Sequence, residues 1–375
     1  MAKRVILAVA GAGKTYHICN QLDKERRNLV LAYTNENVDN IRRELVKLYK
    51  DIPKNTVVMT FHAFLFRNAI LPYETTIASF FSCSNFISTG ISISDPPPKG
   101  SFRNGRWMPN KYYVPKDKLG YYVNNSKQYF CKKLSELVLY VKSETKDLLT
   151  LVIDRVNKFY DCVMIDEFQD FREYDYDFLM AFAGAVDNIL LVGDFYQHSV
   201  SAINNSGKPF KLRKGEELLY EEFVSQLEGM DFEVDDVSLL KSRRCSVNIC
   251  DFVSKKLNIS IESQGLNVGD VVWVRNLSEA EAVLRNSEIV KLVYQDASIY
   301  RFKAMNWSYS KGSTFKSVCV ILTDKLEQLE DDGFKLSDQS KQTINKLYVA
   351  LTRSSGNLYL MKSSLFKKLK PRYLS

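Results

Sequence analysis

The sequence predicts an α/β protein built on doubly wound parallel sheets, and three observations carry that reading. A short apolar run, residues 5–9, passes into the small-residue loop Ala10-Gly11-Ala12-Gly13-Lys14-Thr15. Strand and helix patterns alternate from there to residue 64, and a later apolar run, Val163-Met164-Ile165, ends in Asp166-Glu167. Strands that end in polar residues, with helices between them, form a sheet covered on both faces, and ligands gather at its carboxyl edge.

The loop after the first strand offers backbone N–H groups at a helix start, where the macrodipole favours negative charge. Lys14 would reach the β- and γ-phosphates of a nucleotide and the Thr15 hydroxyl would hold Mg²⁺, which makes this a P-loop. The pattern asks for Gly at position 8, and this chain has Ala8. A helix over residues 15–27 and a strand over residues 28–35 are expected next. Val38, Ile41, Leu45 and Leu48 recur at helical spacing and predict a helix over residues 37–49. A third strand, Val57-Val58-Met59, runs into Thr60-Phe61-His62-Ala63-Phe64.

The rhythm breaks over residues 70–150. Between Lys99 and Lys133 stand Lys99, Arg103, Arg106, Lys111, Lys116, Lys118, Lys127, Lys132 and Lys133 among Phe102, Trp107, Tyr112, Tyr113, Tyr121, Tyr122, Tyr129 and Phe130, with Asp117 the sole acid of that stretch. Cations for phosphates beside rings for bases suit a nucleic-acid surface. The same residues also suit a small insertion whose rings form its own core under a solvated basic face. After residue 160 the α/β pattern resumes. Asp166 is placed to hold the Mg²⁺ shell and Glu167 to polarise the attacking water. The strand Ile189-Leu190-Leu191-Val192 then brings Gln197 to the same edge, as a γ-phosphate sensor or a structural hydrogen-bonder.

Composition sets the outer bounds. The chain has 375 residues, enough for two or three domains, with 45% hydrophobic and 26% charged residues. No long apolar run predicts a membrane span, and the first residues lead into a strand rather than a signal peptide. Seven cysteines show no metal spacing and read as thiols in a reducing, cytoplasmic compartment, of prokaryotic, phage or viral origin. The net charge of +8 permits a polyanionic partner.

The motifs together resemble those of superfamily 1 helicases, closest to the UvrD/Rep-like group. The stretch from Gly11 to Thr15 resembles motif I, Tyr33-Thr34-Asn35 motif Ia, and Thr60-Phe61-His62-Ala63-Phe64 motif Ib. Ile165-Asp166-Glu167-Phe168-Gln169-Asp170 is similar to motif II in its DEFQD form, and Gly193-Asp194 with Gln197 to motif III. Arg244 stands where motif IV carries its arginine, Ser310-Lys311-Gly312-Ser313-Thr314-Phe315 resembles motif V, and Tyr348-Val349-Ala350-Leu351-Thr352-Arg353 motif VI.

The resemblance implies two RecA-like domains with parallel sheets and an ATP cleft between them. Residues 1–69 and 156–230 would form the first, interrupted by a basic aromatic insertion over residues 70–155, and residues 231–375 the second. Second-domain strands are expected over residues 237–240, 271–274 and 318–322, with a helix over residues 339–352. The implied catalytic set is Lys14, Asp166, Glu167, Gln197, Arg244 and Arg353. Ala10, Gly11, Ala12, Gly13, Lys14, Thr15, Arg243 and Thr314 would hold ATP, and Thr15 and Asp166 its Mg²⁺. Single-stranded nucleic acid, DNA favoured, would meet Thr34, Asn35, Thr60, Phe61, His62, Phe64, Lys311 and Trp107. The implied activity is a nucleic-acid-dependent ATPase moving 3′→5′. An RNA helicase of viral type, or an ATPase subunit serving a nuclease or a replication or repair factor, remain alternatives.

The chain departs from the family pattern at several places. No glutamine stands in residues 1–10 to read adenine, Arg243 replaces a base-stacking tyrosine, and Thr314 replaces a ribose-holding glutamate. His198-Ser199-Val200-Ser201-Ala202 stands where base-stacking aromatics are expected. The distance from Arg244 to Lys311 leaves no room for a large second-domain insertion.

Overall fold

The computed structural model describes residues 3–142, 145–198, 207–210 and 218–374. Strand β1 (Arg4–Leu7) leads through the loop into α1 (Lys14–Gln21), β2 (Asn28–Ala32), α2 (Asn35–Tyr49) and β3 (Thr56–Thr60). After an inserted segment come α3 (Leu148–Phe159), β4 (Cys162–Asp166), α4 (Glu173–Ala185), β5 (Ile189–Gly193), α5 (Tyr220–Glu228) and β6 (Glu233–Asp235). The six strands pair in parallel in the order β6-β1-β5-β4-β2-β3. Helices cover both faces, so β2, β4 and β5 are buried along their whole length and read as unbroken apolar runs.

Local chemistry trims the expected elements. α1 stops at Gln21 rather than 27 because Leu22 turns extended, and the Asn28 amide then donates to the Asp23 and Arg26 carbonyls across the turn. β2 stops at Ala32 because Thr34 caps α2, its hydroxyl accepting from the Asn37 N–H at 3.2 Å.

The second sheet is built from β7 (Val271–Val274), β8 (Ile289–Val293), β9 (Ala304–Asn306), β10 (Ser317–Ile321) and β11 (Leu358–Met361), all parallel, in the order β7-β11-β10-β8-β9. Its helices are α6 (Val247–Leu257), α7 (Leu277–Arg285), α8 (Lys341–Leu351) and α9 (Ser363–Leu369). Two expectations are corrected here. Residues 237–240 form no strand, because Asp235 Oδ1 accepts from the N–H groups of Val237 and Ser238 and turns the chain. Just before that turn, β6 pairs with β1, so the chain stays with the first sheet through Asp235 and does not leave it near 231.

The inserted segment divides its aromatics between two jobs. Tyr122, Tyr129 and Phe130 are buried, and Tyr122 and Tyr129 join one cluster with Phe64, Leu134 and Val152 that continues into the first sheet. Lys116 and Lys133 both pair with the buried Glu136, at 3.1 and 2.7 Å. The hairpin Gly100–Arg103 with Arg106–Pro109 is presented to solvent, with Phe102 73%, Trp107 49% and, just beyond it, Tyr112 67% exposed. Its two-residue turn holds Asn104 and Gly105 at positive φ, the Asn-Gly arrangement that fits strand twist. The Trp107 ring lies across Gly100, where an added Cβ would come within 2.6 Å of it.

A second apolar cluster joins the two halves. Ala8, Val9, Ala10 and Ala12 of the loop pack with Cys245, Ile249, Leu347, Tyr348 and Leu351 of the second domain. Ala8, standing where the loop pattern asks for Gly, is 4% exposed in this cluster.

Candidate nucleotide site in the inter-domain cleft

Order within the first sheet brings the chemistry together. β1, β5 and β4 are neighbours, so the loop after β1, Asp194 after β5 and Asp166-Glu167 at the end of β4 meet at one carboxyl edge. The loop is held open by Gly11 and Gly13, at φ of +73° and +89°. A Cβ on Gly11 would also stand 2.7 Å from Arg244 Cβ and Ser242 Oγ, so the second domain closes on bare backbone there. Gly13 is the N-cap of α1 and starts the helix whose first residues are Lys14 and Thr15.

Around the loop the contacts are short and mostly buried. Thr15 Oγ1 donates to Asp166 Oδ2 at 3.1 Å, and Lys14 Nζ lies 3.4 Å from Glu167 Oε1. Glu167 sits in the left-handed region at φ 56°, which swings its carboxylate away from the strand line; its other oxygen accepts from the Gln169 amide. Gln169 Oε1 accepts from the Asp194 N–H at 3.0 Å, and Gln197 Nε2 donates to Asp194 Oδ2 at 2.7 Å. From the second domain, Lys311 Nζ pairs with Asp170 and stands 3.6 Å from Glu167. Arg244 donates from Nε to Thr314 Oγ1 at 2.7 Å and from Nη1 to the Thr352 carbonyl at 3.1 Å. Arg353, 1% exposed, gives its guanidinium to the Val349, Ser310 and Ser313 carbonyls.

These residues surround a cavity of about 500 Å³ lined by Gly11, Gly13, Lys14, Thr15, Asp166, Glu167, Gln197, Arg243, Arg244, Thr314 and Arg353. Burial and the neighbouring Glu167 charge push the Asp166 carboxyl up, against the pull of Lys14. Burial works against the Glu167 charge too, but Lys14 and Lys311 hold that carboxyl well below the usual range. Burial pushes Asp194 up to about 6, opposed by Lys14 and by the Gln197 hydrogen bond. The pair of carboxyls is thus split, one strongly ionised between two ammonium groups and one poised, which suits a water-orienting group beside a cation ligand. Mg²⁺ is commonly held by one or two protein oxygens with the rest from phosphate and water, and the Thr15–Asp166 pair fits that demand. Among the described residues no group of three or more His, Cys, Asp or Glu could cage a metal without such help.

Several expected ligands lie elsewhere. Ala10 and Ala12 do not line the cavity; the Ala10 N–H donates to the Tyr348 hydroxyl at 2.8 Å and the Ala12 N–H to the Val9 carbonyl at 3.2 Å. Phe61 and Phe64 are 1% and 0% exposed and pack against Phe171 and Phe178 or Phe182, so neither ring can stack on a base. Lys311 faces the cleft carboxylates instead of a polynucleotide. His62 is paired with Asp175 at 3.5 Å, and Thr60 caps the short helix Phe61–Phe64. Thr34 and Asn35 are exposed at the carboxyl end of β2, and Trp107 is exposed on its hairpin. Residues 199–202, expected to lack stacking rings, lie outside the described residues, while His198 is buried and stacks on Phe210 at 4.0 Å.

Other cleft residues escaped the sequence reading. Tyr16 lines the cavity with Arg243 4.7 Å over its ring, and its place two residues after Lys14 in the first turn of α1 was the available signal. Gln169 and Tyr348 stood inside recognised motifs, but nothing in their spacing marked them.

Two α/β units with parallel sheets, closing on a glycine-bearing loop that carries Lys14 and Thr15, define a P-loop nucleotide-binding protein. The chain belongs to the AAA domain family, whose profile matches residues 2–202. Curated protein sequences give no match. Solved structures similar to the chain include the PRRSV helicase, at 13% identity over 99% of this chain and 54% of that one, with a TM-score of 0.44. Arterivirus nonstructural protein 10, a helicase, is similar at 12% identity over 96% of this chain, alone and in complex with DNA, covering 59% and 60% of those chains at a TM-score of 0.44. The chain therefore spans less than two thirds of the length of each. Among the described residues no helix is long and apolar enough to cross a membrane.

Proposed function

We propose that the chain is an ATP-driven nucleic-acid translocase, with helicase activity on DNA in the 3′→5′ direction. The observation that carries the reading is the convergence of Lys14, Thr15, Asp166 and Glu167 from one domain with Arg243, Arg244 and Arg353 from the other around one cavity. Membership of the AAA domain family supports nucleotide use. In this reading Lys14 and the loop amides bind the phosphates, and Thr15 with Asp166 holds Mg²⁺, which supplies charge neutralisation. Glu167 orients the attacking water, and Arg244 and Arg353 stabilise developing charge from across the cleft. Arg243 and Tyr16 would clasp the base between a guanidinium and a ring.

Because cations of the second domain meet carboxylates of the first, hydrolysis depends on closure, and alternate closing and opening would step the protein along a strand. Thr34, Asn35 and Thr60 mark the carboxyl edge where that strand would lie. The hairpin bearing Phe102 and Trp107, flanked by Arg103 and Arg106, adds a ring-and-cation surface of the kind single strands require. The domains we assign are residues 1–69 with 156–235, the insertion 70–155, and the remainder from 236.

A second reading is favoured by one observation: α6, β7, α7, β8 and β9 take up about half of the short stretch between Arg244 and Lys311, and the turns that join them leave no room for a further domain there. A motor that small would suit an ATPase that moves or senses nucleic acid for a partner such as a nuclease. ATP hydrolysis with and without single-stranded DNA and RNA, beside Lys14→Ala and Glu167→Gln, tests the main reading. Stimulation by one polymer, lost in both variants, supports it and names the track. Efficient unwinding of a tailed duplex by the chain alone would remove the second reading.

A further inference from the structure

We infer that Tyr348 is a positioning residue that ties the phosphate loop to the carboxylates that act on water, an inference that rests on the nucleotide reading above. Tyr348 belongs to the second domain, on α8, yet its hydroxyl is held entirely by the first. It accepts from the Ala10 N–H at 2.8 Å and lies 3.4 Å from Asp194 Oδ2, to which it donates. The ring is fully buried and packs edge-on against Tyr196, so the hydroxyl has little freedom to find other partners.

From Asp194 a hydrogen-bonded route continues. The Asp194 N–H donates to Gln169 Oε1, and the other end of that amide donates to Glu167. One side chain thus joins the loop to Asp194 on the β5 turn, and a second, Gln169, joins that turn to Glu167. Ala10 is also the one loop residue whose amide is covered by a side chain from across the cleft, although the loop as a whole is shaped for phosphate oxygens. The Tyr348 hydroxyl and the Gln197 amide donate to the same oxygen, Asp194 Oδ2, at 3.4 and 2.7 Å, so Tyr348 helps set where that carboxylate stands and with it Gln197, which lines the cavity. A residue of the opposite domain in this way fixes the groups beside Glu167 relative to the phosphate loop.

Tyr348→Phe, Asp194→Asn and the double variant test this, with nucleotide affinity read by a fluorescent ATP analogue and turnover read with single-stranded polymer. Tyr348→Phe keeps the ring and frees the Ala10 N–H. Its nucleotide affinity is expected to hold or rise, while stimulated turnover falls by about tenfold to a hundredfold, the worth of a hydrogen bond to a charged partner. The double variant is expected to fall no further than the worse single one, since both cut one route. Undiminished turnover in Tyr348→Phe overturns the inference, as do losses that multiply in the double variant, or affinity and turnover that fall together with thermal stability. If the unaltered chain binds and hydrolyses no ATP with any polymer, the nucleotide reading falls and takes this one with it. An active parent beside an unaffected Tyr348→Phe sinks this one alone.

Discussion

Lys14 Nζ and Glu167 Oε1 form a 3.4 Å ion pair within the first domain, and Lys311 closes on the other Glu167 oxygen from the second. Glu167 therefore stays ionised in spite of its burial, and its charge balances two cations. Replacing it by Gln keeps the shape and removes the charge. Turnover is expected to fall by about 10²–10⁴-fold, the usual worth of a positioned general base, with nucleotide affinity changed little. Lys14→Ala should lose affinity as well. Single-turnover hydrolysis beside equilibrium binding separates the two, and Glu167→Gln retaining a substantial share of turnover would remove Glu167 from the chemistry.

Arg353 carries a structural load besides any chemical one. Its three carbonyl partners at Val349, Ser310 and Ser313 pin the Lys311 loop to α8. Arg353→Ala should lower unfolding stability by about 2–4 kcal/mol, because buried carbonyls lose their donors. Urea denaturation reads this directly; a variant as stable as the parent would contradict the burial argument.

His198 makes the fold acid-sensitive. Burial, with Arg172 and Lys341 nearby and only partly opposed by its bond to the Phe195 carbonyl, pushes the imidazole down to about 3. The neutral ring is what the fold accepts, so its contribution is complete above about pH 6.5 and is lost as pH falls from there toward 3, by about 1.4 kcal/mol per unit. His198→Phe should flatten stability between pH 6.5 and 4. An unchanged acid limb would show that other groups set it.

His62 has the opposite sign. Burial alone would lower it, but its hydrogen bonds to Asp175 and Cys131 raise it to about 10. Its contribution is complete below about pH 6.5 and is lost as pH rises through 10. His62→Gln should remove an alkaline loss of stability that the parent shows in thermal melts between pH 7 and 10.

The exposed and buried rings should part company on substitution. Trp107→Ala is expected to weaken single-strand affinity by about 1–3 kcal/mol, one stacked base, with stability unchanged. Phe61→Ala should instead cost about 3–5 kcal/mol of stability, the cavity left by a buried ring. Filter binding and thermal melts on both variants decide whether the hairpin or the Phe61 helix meets nucleic acid.

Much of this architecture could be read from the chain before folding. Sheet strands buried on both faces announce themselves as apolar runs, which is why β2, β4 and β5 stood out, and their carboxyl ends showed where Asp166 and Glu167 would sit. The errors have physical causes. Phe61 and Phe64 lie three residues apart, so one turn of helix after Thr60 faces both inward, a point their place after a strand does not reveal. Glu233-Val234-Asp235 is short and polar, as an edge strand tolerates, so its pairing with β1 was invisible while the more apolar Val237 looked like a strand and is exposed. Lys311 and Tyr348 find their partners only when the two domains meet, and no local pattern encodes that meeting.

The turn after β6 also determines how force passes through the molecule. The chain leaves the first sheet at Asp235, and four residues later the Leu239 carbonyl accepts from the Val9 N–H at 3.0 Å, while the Arg243 N–H donates to the Gly11 carbonyl. The tether between domains is thus stitched to the phosphate loop at two points along its length. A pull on the second domain therefore reaches the loop backbone directly, and not only through the side chains that cross the cleft, so in the proposed motor a load on the strand would be felt in part as a change in grip on the nucleotide.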